Sequence, residues 1–260
     1  MNRVFQVVWS DDVGAWVVVS ELASRRRKAR RVDARSASSG TPSIRRTLLA
    51  IGLIAGAPFA GLHAQSLHWD GTDTNANANG GNGTWQDGAS NWDSAATAGA
   101  NTPWSSAIPN DAVFGGVAGT VTIAPAGVTA HNLTFNLPNY TIGGGVLTLA
   151  GATPTLSNGG TATITSVIAG TNGLTKRGAG VATLSGAGDF AGGTRLQGGT
   201  LDVAGNLVTP TLHMDEGTTL RVTGTVGGGA GATQLSGAGQ NIVVVAAGGQ
   251  AALGLSLIHI

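Results

Sequence analysis

From Thr120 onward the chain places apolar residues two apart, in runs of three or four that end at glycine or asparagine. Val121-Thr122-Ile123, Leu133-Thr134-Phe135, Leu147-Thr148-Leu149, Leu201-Asp202-Val203 and Leu220-Arg221-Val222 all follow this rule. Alternation with a period of two describes a strand with one dry face. It turns Thr122, Thr134, Thr148, Asp202 and Arg221 outward to water and their Val, Ile, Leu and Phe neighbours inward. Strands this short cannot bury an apolar face as isolated hairpins. Turns recur between them at Asn158-Gly159-Gly160, Gly192-Gly193, Gly198-Gly199 and Gly227-Gly228-Gly229. Stacking one short strand on the next solves the burial problem, because the inward residues of successive coils then form one column. The predicted architecture is therefore all-β, a right-handed parallel β-helix (solenoid) over residues 119–250.

Composition supports this reading by exclusion. Glycine occupies 43 of the 260 positions, about one in six. Each glycine inside a helix costs roughly 1 kcal/mol relative to alanine, so long helices are disfavoured. Proline numbers only eight and glycine has no three-residue period, which removes collagen. There is no cysteine, so a disulfide framework, a zinc-thiolate site and thiol catalysis are all excluded.

The formal charge of +1 conceals a division. Residues 1–46 carry ten Lys or Arg against four Asp or Glu, and the rest carry four against nine. The basic character belongs to the leading segment, and the acidic body argues against nucleic acid as a partner. Arg45-Arg46 stands directly before the apolar run Leu48 to Ala57, which is the order of a secretory signal. The run is about ten residues, too short for the ~20 that span a bilayer as a helix, and it breaks at Pro58. Small residues follow, so cleavage is expected after Ala64, leaving Gln65 as the first mature residue. The predicted divisions are 1–46 as extended signal region, 47–64 as apolar core and cleavage site, 65–118 as a tryptophan-rich cap and 119–250 as β-helix. Leu255-Ser256-Leu257-Ile258-His259-Ile260 departs from the repeat texture, and 251–260 is expected to be a truncation tail.

Two stretches resemble known families. Val4-Phe5, Val8-Trp9, Gly14-Ala15-Trp16-Val17-Val18-Val19-Ser20-Glu21-Leu22 and the basic run Arg25 to Arg31 together resemble the extended signal-peptide region of Gram-negative type V secreted proteins. The segment Leu174, Lys176, Gly178, Gly180, Leu184-Ser185-Gly186, Phe190, Gly193-Thr194, Gly199 and Leu201 resembles the autotransporter-associated β-strand repeat. The resemblance implies a cleavable, partly helical export leader and a β-helical passenger displayed at the cell surface, outer membrane or exterior of a Gram-negative bacterium. It also implies Sec export machinery and outer-membrane assembly machinery as partners, and a C-terminal β-barrel beyond these residues. The implied role is a stalk in adhesion or surface interaction, with a host-surface or glycan ligand and no enzymatic activity of its own. An exported polysaccharide-acting β-helical enzyme, or a glycan-binding module with its active region downstream, is the alternative.

Sites for chemistry are sparse. Trp69, Trp85, Trp92 and Trp104 lie within 36 residues, beside Asp70-Gly71, Asp87-Gly88, Asn91 and Asn110-Asp111. They are candidate glycan contacts, since flat indoles stack on sugar rings. Equally, they suit a plug over the first coil, whose apolar column would otherwise open to water. His213-Met214-Asp215-Glu216-Gly217 lacks metal-ligand spacing and is expected to be a solvated turn. No Gly-x-Ser-x-Gly elbow and no Gly-Lys-Ser/Thr phosphate loop occurs, so neither catalytic residues, a metal nor a cofactor is expected. Lys176-Arg177 is expected to be a solvated strand edge.

Overall fold

The computed structural model describes residues 64–73, 75–229, 231–237 and 239–255, and the backbone of 5–10 and 15–20. The chain divides into two compact units, Met1–Ala55 and Gly56–Ile260.

In the first unit Phe5–Ser10 pairs antiparallel with Ala15–Ser20, with Val7 opposite Val18 and Trp9 opposite Trp16. β-Branched and aromatic residues suit a pleated strand, and Val7, Val8, Val17, Val18 and Val19 make this pair rich in them. The leader, expected to be partly helical, is strand in its described part. The basic run and the apolar core of the export signal lie outside the described residues.

The second unit is a parallel β-solenoid. Each coil contributes one short strand to each of three sheets, which contain 11, 8 and 7 strands among the described residues. Register repeats at nearly constant spacing: Val121 pairs with Ile142, 21 positions on; Val181 with Thr200, 19 on; Thr219 with Ile242, 23 on. On the second sheet Val121, Ile142, Ile164, Leu184, Val203 and Val222 stack in register as one buried ladder. Beside it Tyr140, Ala162, Ala182, Leu201 and Leu220 form a second. The alternation seen in the sequence therefore becomes two parallel columns of buried side chains, aliphatic except for Tyr140, with hydrogen bonds running between coils.

Close backbone approach explains the glycines at one corner. A Cβ at Gly186 would collide with the Ser166 carbonyl, one at Gly205 with Gly186 and one at Gly224 with Gly205. Successive turns pack backbone on backbone there, and any side chain would push the coils apart.

Three expectations are corrected. Asp202 faces outward but is buried, with 8% of its surface exposed, because Arg221 of the next coil lies over it and Nη1 meets Oδ2 at 2.9 Å. The ladder begins before residue 119: Ser66–Trp69 already pairs in parallel with Asp111–Phe114. It also runs beyond Gln250, where Leu253–Leu255 adds to Thr233–Gly237. Short alternating strands there satisfy the same inter-coil bonds, so 65–118 and 251–255 share the solenoid.

Candidate functional site

The repeat segment fills one coil and part of the next. Its strands are Leu174–Arg177, Val181–Leu184, Ala187–Phe190, Thr194–Leu196 and Thr200–Val203. Leu174, Leu184, Phe190 and Leu201 point into the core. Gly178, Gly193 and Gly199 adopt positive φ at the corners. Thr194 is buried, and its hydroxyl donates to Thr209 Oγ1 at 3.1 Å, which in turn donates to Thr211 O at 3.0 Å. Ser185 is exposed and donates its main-chain N–H to Ile164 O at 2.8 Å.

Lys176 overturns the strand-edge expectation. It is fully buried, in register between Leu156 and Leu196 of the neighbouring coils. Its Nζ donates to the carbonyls of Arg177 at 2.8 Å, Gly178 at 2.9 Å and Gly198 at 3.1 Å. All three donors of the ammonium are thereby used. Burial lowers its pKa from the usual value of 10.5 to about 8. Parity in the sequence carried this signal, since Lys176 sits two positions from Leu174 on the inward side. Arg177, by contrast, is exposed as expected.

Trp69, Trp85, Trp92 and Trp104 are each at most 1% exposed. Their rings contact one another at centroid distances of 4.6 to 5.1 Å, for instance Trp92 on Trp104 at 4.6 Å and Trp69 edge-on to Trp92 at 5.0 Å. Phe114 touches three of them and stacks on Phe135 at 4.9 Å, continuing the aromatic packing into the following coil. No indole face is open to a sugar ring, so the candidate glycan contact is not available at these four residues. Tyr140 closes the aromatic run. Its hydroxyl proton is shared between Gly115 O and Val117 O, and burial pushes its pKa up to about 12.

Behind the indoles lies an acidic pair, of which the sequence reading named Asp70 only as a neighbour of the tryptophans and did not single out Asp93. His68 pairs with Asp93 and Trp69 with Trp92 in an antiparallel register, and Asp70 N donates to Asn91 O at 3.1 Å. Asp70 and Asp93 are both fully buried. Burial raises the pKa of each, and the negative charges nearby, Asp73 for Asp70 and Asp70 with Asp73 for Asp93, raise them further; one backbone N–H bond from Asn79 works the other way at Asp70. Burial lowers that of His68.

The His213 region is more ordered than a solvated turn. Arg195, His213 and Ser236 stack on the outside of three successive coils. Arg195 grips both oxygens of Asp215, at 2.8 and 3.1 Å. His213 contacts Ser236 Oγ through Nδ1 at 2.9 Å and Asp215 through Nε2 at 3.3 Å. A serine, a histidine and an aspartate thus meet, but the arginine already neutralises the carboxylate that would polarise the ring. The arrangement ties coils together. Glu216 remains exposed.

At the expected cleavage point, Ala64 and Gln65 are both exposed, yet the Gln65 main chain is fixed: its N–H donates to Asn110 Oδ1 at 3.0 Å and its carbonyl accepts from Asp111 N at 2.8 Å.

Comparison with known proteins matches two stretches of the chain. Residues 1–50 match the family model "Extended Signal Peptide of Type V secretion system", and residues 174–203 match "Passenger-associated-transport-repeat". Over 143 residues the chain is 42% identical to the protein named "Adhesin BmaC autotransporter" of Brucella suis biovar 1 (strain 1330). That match covers 54% of this chain and 4% of the relative, so the chain spans a small part of the relative's length. No solved structure matches.

Proposed function

We propose that this chain, an autotransporter passenger segment exported to the surface of a Gram-negative cell, serves as a rigid stalk in adhesion or surface interaction. The observation that carries the reading is the unbroken aliphatic column, in register from Val121 to Val222. Such an array spends its residues on length, each coil contacting only its neighbours. Adhesion is supported by the name of the 42% identical relative. The extended signal at 1–50 supports Sec and the outer-membrane assembly machinery as partners, with a downstream β-barrel as the route across the second membrane.

In this reading the signal is removed after Ala64, and Gln65 starts the mature chain. Its main-chain bonds to Asn110 and Asp111 dock the new terminus on the first coil. The indole cluster within 65–118 closes the end of the column, and the outer surface of the coils meets the host surface or glycan. Catalysis has no part in the role.

The test is expression of the full-length gene in a Gram-negative host, followed by protease shaving of intact cells and measurement of their adherence. The expected result is release of fragments from residues 65–255 and adherence that exceeds that of cells displaying the barrel alone. Protection of the segment inside the cell refutes display. Shaved cells that had adhered no better than barrel-only cells refute the adhesive role while leaving display intact.

A further inference from the structure

Four side-chain oxygens at the start of the solenoid are buried with no hydrogen-bond donor: Asp70 Oδ2, Asn91 Oδ1 and both oxygens of Asp93. The antiparallel register puts them on one side of a single strand pair. Trp69 and Trp92 occupy the inward side, so alternation sends Asp70, Asn91 and Asp93 to the other. The amide of Asn91 is oriented by its own donors, with Nδ2 giving bonds to Thr84 O at 2.8 Å and Gly71 O at 3.2 Å, which leaves Oδ1 free to accept. Asp70 Oδ1 is used, accepting from Asn79 N at 2.8 Å. Gly99 packs against Asp93, where an added Cβ would lie 3.1 Å from the Asp93 Cβ.

Asp93 is a buried carboxylate without a single donor, which is costly, and the half-satisfied Asp70 carboxylate near it adds to the cost. Among the described residues no ion pair reaches Asp70 or Asp93, and His68 opposite Asp93 is biased towards its neutral form by burial. A bound cation would offset the charge. No group of three or more His, Cys, Asp or Glu side chains placed to hold a metal ion assembles among the described residues, so the donors here are the two carboxylates and the Asn91 amide oxygen. Two carboxylates and an amide oxygen are hard donors, the chemistry that recognises calcium, with carbonyls or water completing the shell.

We propose that Asp70, Asn91 and Asp93 bind a calcium ion that locks the first coil of the solenoid. The ion draws Ser66–Trp69 and Trp92–Asp93 together across their antiparallel pairing, and so holds Trp92 over the end of the aromatic column. This cation site is independent of what the stalk adheres to.

The purified 260-residue chain is stripped with EGTA and titrated with calcium chloride, with magnesium chloride in parallel. Bound calcium is counted by atomic emission after equilibrium dialysis against each calcium concentration, and tryptophan fluorescence and the thermal midpoint are followed. The expected result is one calcium per chain, a dissociation constant of the order of 10⁻⁴ to 10⁻³ M as in other extracellular modules, and a midpoint raised by calcium but not by magnesium. Asp93→Asn should weaken binding at least tenfold. In EGTA this variant should unfold at or above the wild-type temperature, because it removes an uncompensated charge, and this separates a lost ligand from a lost fold. Two results overturn the proposal. One is identical midpoints in EGTA and calcium with no calcium retained, the behaviour of two carboxyls sharing a proton. The other is undiminished calcium uptake by Asp93→Asn.

Discussion

Lys176 offers a quantitative test, because its charge sits inside the column at a depressed pKa. The folded chain holds that proton with a pKa of about 8, against about 10.5 when exposed. Between these values the unfolded chain binds more protons than the folded one, so stability rises with pH across this window. Below pH 8 both states are protonated and the full cost of burying the ammonium is present. Each pKa unit corresponds to roughly 1.4 kcal/mol, and the shift of about 2.5 units limits the effect to about 3 kcal/mol. Between pH 7 and 10 roughly 2 kcal/mol of this should be recovered. Tyr140, with its pKa raised to about 12, acts in the opposite direction only above pH 10 and so leaves the window clear. The assay is urea denaturation at pH 7, 8, 9 and 10, read by circular dichroism, for the wild type and Lys176→Met. Taking the difference cancels every other titrating group. The wild type should gain on the variant as pH rises. Parallel profiles, or a wild type that loses ground, would refute the buried charged lysine. The variant also loses the bonds to Arg177, Gly178 and Gly198, which shifts its whole profile without tilting it.

Leu201→Asp puts a carboxylate into the column between Ala182 and Leu220, and loss of protease resistance with more than about 4 kcal/mol of destabilisation is expected. Thr122→Ser, on the exposed side, should stay within about 0.5 kcal/mol in the same denaturation assay. Gly205→Val should open the corner where its side chain would strike the Gly186 carbonyl, seen as faster hydrogen exchange at Thr225 N, whose bond runs to Gly205 O. Arg221→Ala should cost about 1 kcal/mol or less through its ion pair, since the guanidinium is half exposed, with an added penalty for uncovering Asp202. A loss above about 3 kcal/mol by thermal melting would mean that Asp202 depends on this partner far more than the exposure implies.

Much of this protein is written locally. Val121-Thr122-Ile123 and its successors alternate with a period of two, and that period alone decides strand and inward face, because successive side chains leave a pleated backbone on opposite sides. Repetition at a coil's length then decides stacking, since no single coil can bury its own column. The export leader and the repeat segment were legible for the same reason: both are linear patterns, and residues 1–50 and 174–203 match family models. Even the inward direction of Lys176 was present as parity with Leu174, although its charge argued for water. Only the carbonyls of Arg177, Gly178 and Gly198, one of them from the next coil, decide that an ammonium can live there. The same division covers the indoles, visible as a cluster but buried only through contacts among distant segments, and the acidic site, where Asp70 reaches Asn91 and Asp93 only because Ser66–Trp69 pairs with Trp92–Asp93. Alternation is a property of neighbouring residues and survives in the sequence. The partner of a buried charge is set by which distant backbones come within bonding distance, and that is decided only when the coils close.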